Sequence, residues 1–132
     1  MGNSKNEHSK DKVYVCSASA PKNLLIPCVL LLLRRMSNYG YQIVHDLVEF
    51  GFSSIDPGYV YRILRQLESE KFVQSRWEVS SGGPPKRMYS ITDVGNEYLD
   101  TWSQALEKYQ YTLKRFFSMY ERLLFSSTEN KK

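Results

Sequence analysis

Residues 56–92 read DPGYVYRILRQLESEKFVQSRWEVSSGGPPKRMYSIT. Asp56 is a helix N-cap, Pro57 fits the first helical position, and Gly58 leaves the backbone approachable. Val60, Ile63, Leu64 and Leu67 then recur at the spacing of one buried helix face. Gly58, Arg62, Arg65 and Ser69 fall on the opposite face, with Tyr59 and Tyr61 on its flanks. Two strand-like runs follow, VQSRWEV and KRMYSIT, joined by SSGGPP, whose Gly and Pro residues cannot extend a strand. Trp77 and Val79 on one strand, and Tyr89 and Ile91 on the other, are predicted to face inward. Lys86 and Arg87 stand beside the tip. A basic-faced helix followed by a hairpin with cations at its tip reads as a winged helix-turn-helix. The competing reading is a helix and hairpin of any small α+β domain with merely solvated cations. Lys86 and Arg87, together with two helical runs upstream, weigh against it.

The upstream run from Leu24 to Met36 is nearly all apolar and ends in Arg34 and Arg35. Pro27 confines the helix start to its own neighbourhood, and apolar residues all round predict burial on most sides. Such a helix needs a second neighbour, which a C-terminal helix can supply. Ser37 and Asn38 are expected to break and cap. YGYQIVHDLVEFG, residues 39–51, then forms the next helix, closed by Gly51, with Ile43, Val44, Leu47 and Val48 toward the core.

In the docking usual for this motif the first helix crosses the phosphates and the second enters the major groove. Tyr39 and Tyr41 would then lie near the DNA backbone, although both rings also suit a core or an interface. Gly58 and Tyr59 would meet base edges, and Tyr61, Arg62 and Arg65 would reach phosphates or bases. Lys86 and Arg87 would approach a minor groove or flanking phosphates. His45 and Glu49 are four residues apart, a spacing metals use, but no third ligand is apparent on that face and no metal is expected.

Downstream, Leu99, Trp102, Leu106, Tyr109, Leu113, Phe116, Tyr120 and Leu123 are spaced 3, 4, 3, 4, 3, 4, 3, an unbroken heptad seam in a helix from Asp93 to about Leu124. Ala105, Phe117, Met119 and Leu124 widen it. An aromatic stripe of this length exceeds the apolar patch of roughly 300–600 Å² that monomers expose, so homodimerisation through the seam is expected. The alternative is a helix folded back on its own domain. Trp102 and Tyr109 are candidates for lining an effector cavity, with plain packing as the alternative.

The 132 residues and net charge of +4 suit one domain with an added element. Lys and Arg against Asp and Glu count 4 to 2 in residues 1–22, 8 to 6 in 23–92 and 6 to 6 in 93–132. The positive excess therefore precedes the seam helix, which favours a polyanionic partner. Residues 1–20 have few large apolar groups and are expected to form a flexible tail, whose Lys5, Lys10 and Lys12 are solvated or brush phosphates. Cys28 suits a small buried hydrophobe, and Cys16 lies in the tail. No secretory signal is read, and LLIPCVLLLL is too short for membrane insertion, so a cytoplasmic protein is expected. No nucleophile–base pair, convergent carboxylates or phosphate-cradling loop suggests an enzyme, and no cofactor is expected.

Three blocks, YGYQIVHDL, PGYVYRILRQLESEKFV and GGPPKRMYSITDVGNEYL, resemble the PadR family of bacterial transcriptional repressors, over about residues 22–125. Within that family, PKNLLIPCVLLLL is most similar to the poly-β-hydroxybutyrate-responsive repressors of bacilli. With the reading of the residues above, a mainly α protein with a small β-hairpin is expected: a winged helix-turn-helix in residues 21–92, a C-terminal dimerisation helix in 93–125, and a disordered tail in 126–132. The resemblance implies a homodimeric repressor of double-stranded operator DNA, released by a small molecule or, for the subgroup, by the polyester or its granule. Tyr61 takes the position of a DNA-backbone contact, and Arg62 stands where many relatives carry Pro. The rival function is a winged-helix dimer that binds protein or a granule surface without reading operator DNA.

Overall fold

The computed structural model describes residues 24–79 and 82–130. The expected tail, with its lysines and Cys16, lies outside the described residues, as do Ser80 and Ser81 near the hairpin tip. In chain order the elements are α1 (Leu25–Arg35), β1 (Asn38–Tyr39), α2 (Gly40–Phe50), α3 (Pro57–Ser69), β2 (Val73–Glu78), β3 (Lys86–Ile91) and α4 (Asp93–Asn130). The architecture is mainly helical, with a winged helix-turn-helix and a long C-terminal helix.

The helix-turn-helix forms as its periodicity predicts. Asp56 caps α3 by accepting a hydrogen bond from the Gly58 N–H at 3.1 Å, and Val60, Ile63, Leu64 and Leu67 are all buried. Gly51 closes α2, its N–H donating to the Leu47 and Val48 carbonyls. Ile43 and Leu47 are buried as expected, whereas Val48 is exposed. Phe52, in the following turn, takes a core position. α1 is buried on most sides, with Leu25, Val29, Leu30, Leu32 and Leu33 inside and Leu31 outside. Its neighbours are α2 and β3, and Arg34 donates to the Asn96 side chain and carbonyl in the first turn of α4, at 2.8 and 2.7 Å.

The sheet has three antiparallel strands in the order β1-β3-β2, one more than the expected hairpin. The extra strand is the pair Asn38–Tyr39, matched to Tyr89 and Met88. It replaces the expected cap: Tyr39 precedes α2 without a side-chain cap, and Asn38 Oδ1 accepts from the Tyr39 N–H. Two residues are too few to show a strand's alternation, so periodicity could not reveal it.

In the hairpin, Val73 pairs with Ile91, Ser75 with Tyr89 and Trp77 with Arg87. Val73 and Tyr89 are buried, but Trp77 is 65% and Val79 80% exposed. Both were expected inside. The alternation holds for Trp77, which shares the face of Val73, but β2 ends at Glu78, before Val79. Inwardness fades along the ladder toward the tip.

Thr92 joins sheet to α4. Its N–H donates to the Phe72 carbonyl, and its hydroxyl accepts from the Gly95 N–H at 3.0 Å, capping the helix. Gly95 is required there, because a Cβ would overlap the Phe72 carbonyl. Lys71, at φ 68, makes the preceding left-handed turn.

By compactness the chain forms two units, divided after Leu99. Leu99 closes the core of the first, at 6% exposure. It is therefore a core residue in the single chain, unlike the later seam positions. In the second unit Tyr109, Leu113, Phe116, Tyr120 and Leu123 are exposed along α4, and so are Phe117, Met119 and Leu124. Phe116 stacks on Tyr120 with ring centres 6.0 Å apart and meets Phe117 edge-on at 5.0 Å. The helix continues to Asn130, into the segment expected to be disordered from 126. Once a helix is nucleated, each added residue brings a hydrogen bond, so it outlasts the seam. No helix among the described residues is long and apolar enough to cross a membrane.

Candidate nucleic-acid interface

The outer face of α3 carries Gly58, Arg62 and Arg65, all exposed, with Tyr59 and Tyr61 half-buried on its flanks. The Arg62 guanidinium lies over the Tyr59 ring, 5.5 Å from its centre. A cation held on an aromatic face keeps its donors directed outward. The Gly58 N–H is already used by the Asp56 cap.

Tyr61 packs against the start of α2. A Cβ on Gly40 would overlap its ring, so the glycine lets the ring lie this close to the α2 backbone. Beside that contact, α2, α3 and the hairpin enclose a groove of about 300 Å³. Its walls include Tyr39, Tyr41, Tyr61 and Trp77, and its cations are Arg65, Lys86 and Arg87. Tyr39 and Tyr41 stack with ring centres 5.7 Å apart, and Lys86 Nζ lies 5.6 and 5.4 Å from those centres. Tyr39 Oη donates to Glu78 Oε2 at 2.8 Å, and this bond, with some burial, holds its phenol above the usual value. A neutral phenol beside exposed cations suits a surface that meets phosphate. Burial likewise raises Tyr89, though the neighbouring Arg87 opposes the shift.

Arg87 is placed differently from Lys86. Its Nη2 donates to Glu68 Oε1 and its Nε to Ser75 Oγ, both at 2.8 Å, and Ser75 Oγ donates to Glu68 Oε2. The expectation of a free tip cation passed over this network. Glu68 belongs to α3 and Ser75 to β2, so only the hairpin register brings them to Arg87. Trp77 in the groove escaped the sequence-based choice because it was assigned to the core, whereas Tyr41, expected near the DNA backbone or in a core or interface, lines the groove.

His45 and Glu49 do have a third neighbour, Asp46, whose carboxylate lies within 4.8 Å of both. It is engaged by Gln42 Nε2 at 3.1 Å and Arg35 Nη2 at 3.4 Å, which satisfies it without an ion. Tyr109 and Trp102 lie two turns apart on α4, Tyr109 exposed and Trp102 partly buried.

A helix-turn-helix with a hairpin wing, and cations on the outer helix face and at the wing, defines a winged-helix regulator. The chain belongs to the PadR-like family of transcriptional regulators, whose model matches residues 29–101. The family is one of regulators and not of enzymes. Among solved structures, a PadR-like transcriptional regulator from Bacillus cereus is 29% identical, with a TM-score of 0.66 over 73% of this chain and 93% of its own. A transcriptional regulator from Streptococcus is 28% identical, with a TM-score of 0.64 over 70% and 91%. Bacillus subtilis PadR, solved in complex with operator DNA, is 28% identical, with a TM-score of 0.55 over 63% of this chain and 47% of its own. No curated protein matches the chain.

Proposed function

We propose that the chain is a homodimeric, sequence-specific repressor acting in the cytoplasm on double-stranded operator DNA. α3 enters the major groove, and the wing lies along the flanking backbone. The observation that carries this reading is the groove in which Arg65 of α3 and Lys86 of the wing line one concave surface with Tyr39 and Tyr61. That surface is basic, amphipathic and open on one side, as a phosphate backbone requires. The similar B. subtilis protein that binds operator DNA supports the same use.

Tyr59 reads bases from the first turn of α3, with Gly58 beside it. Arg62, Arg65, Lys86 and Tyr61 position the backbone. Two copies join through Trp102, Leu106, Tyr109, Leu113, Phe116, Tyr120 and Leu123, most of which are exposed in the single chain. An effector bound near Trp102 and Tyr109 would release the DNA. Control of polyhydroxybutyrate metabolism, with the polyester as effector, rests only on the resemblance of residues 21–33.

Selection from a randomised duplex library tests the reading. Enrichment of one pseudo-palindromic duplex is expected. Failure to enrich any sequence would favour the protein- or granule-binding module. Tyr59→Ala should lower discrimination between the selected and a scrambled duplex by about 5- to 150-fold. Equal loss on both duplexes would assign the ring to structure.

A further inference from the structure

Arg87 stands at the wing as a DNA-contacting cation should, yet its guanidinium is occupied. It closes a ring of hydrogen bonds with Glu68 of α3 and Ser75 of β2, two of them at 2.8 Å. Its plane lies over Trp77 on one strand and Tyr89 on its own, each ring centre 5.7 Å away. The Arg87 and Glu68 side chains are 37% and 27% exposed, so the pair is screened less than a surface pair.

We propose that Glu68 and Arg87 are positioning residues for DNA binding, a brace that sets the wing's angle to the recognition helix. The inference rests on the DNA-binding reading above. Beyond Met88, the last β3 residue paired with β1, the sheet is reduced to two strands, which are marginal by themselves, and Trp77 is exposed there near the tip. The brace joins α3, β2 and β3 at that point. It thereby fixes the distance between Arg65 on the helix and Lys86 on the wing, which must meet one phosphate backbone together. Charge arithmetic excludes a large direct contribution from the pair, since Glu68 neutralises Arg87 where DNA would lie.

The two roles predict opposite signs. If Arg87 simply contacts phosphate, Glu68→Arg adds positive charge and should tighten binding. Arg87→Glu should then weaken it, and the double exchange should stay weak. If the pair is a brace, each single exchange weakens binding to the library-selected duplex by about tenfold, and the double exchange restores it, because coupled partners are not additive. Hydrogen exchange in the DNA-free protein supplies a second readout. The hairpin peptide should exchange faster in each single variant and at the native rate in the double. Should the exchanges impair folding, Glu68→Gln and Ser75→Ala keep the shape, and each should weaken binding a few-fold. Tighter binding by Glu68→Gln or Glu68→Arg, or unchanged hairpin exchange, would overturn the brace. Failure of the native protein to enrich any duplex would instead overturn the DNA reading, leaving hydrogen exchange to decide the brace alone.

Discussion

Gly40 illustrates what a single residue contributes to the interface. A Cβ there would overlap the Tyr61 ring, which would have to swing aside and so displace a groove wall. Gly40→Ala should destabilise the fold by about 1–3 kcal/mol, the usual result of overpacking, as a shift in urea midpoint. Cys28 makes a test of burial. Its thiol is pushed from the ordinary 9.0 up to about 11 by desolvation. Because the folded value lies above the unfolded one, the stabilising contribution is complete below pH 9.0 and lost as pH rises toward about 11. The stability difference between native protein and Cys28→Ala should therefore shift against the native protein across that interval. Alkylation of Cys28, which is half-buried where full burial was expected, should near neutral pH be slower in the folded than in the unfolded protein. Residues whose role is local were legible in the sequence. Asp56 caps and Val60, Ile63, Leu64 and Leu67 pack because three or four residues of spacing decide both. Glu68 and Ser75 were not legible, because their partnership with Arg87 exists only once β2 and β3 have paired in register.

Among the elements, periodicity succeeded in direction and failed in extent. It assigned Trp77 to the face of Val73 but could not tell that burial fades toward the tip or that β2 ends before Val79. It missed β1, whose two residues are a strand only by virtue of β3. In α4 the heptad spacing identified a continuous apolar seam, whose first member, Leu99, is buried in the first unit. The others lie beyond the unit boundary and are mostly exposed. Truncation after Thr101 removes seven of the eight seam residues and should leave a monomer or an aggregate in sedimentation experiments. A soluble, folded dimer from that truncation would contradict the assignment of the interface to α4.

At the scale of the whole molecule, the excess of positive charge precedes Asp93, while residues 93–132 carry six charges of each sign. On the proposed reading, DNA binding would draw on the basic part and dimerisation on the neutral helix, so salt should act on the first far more than on the second. The claim that this chain is a DNA-binding regulator is tested most directly by the salt dependence of its affinity for a selected duplex. If Arg62, Arg65 and Lys86 of two protomers each meet a phosphate, as proposed, about six contacts form and log K should fall against log salt with a slope of about −5. If Arg87 also met phosphate, about eight contacts would give a slope of about −7. A slope near zero would contradict the account, since no surface that binds through these cations could be indifferent to salt.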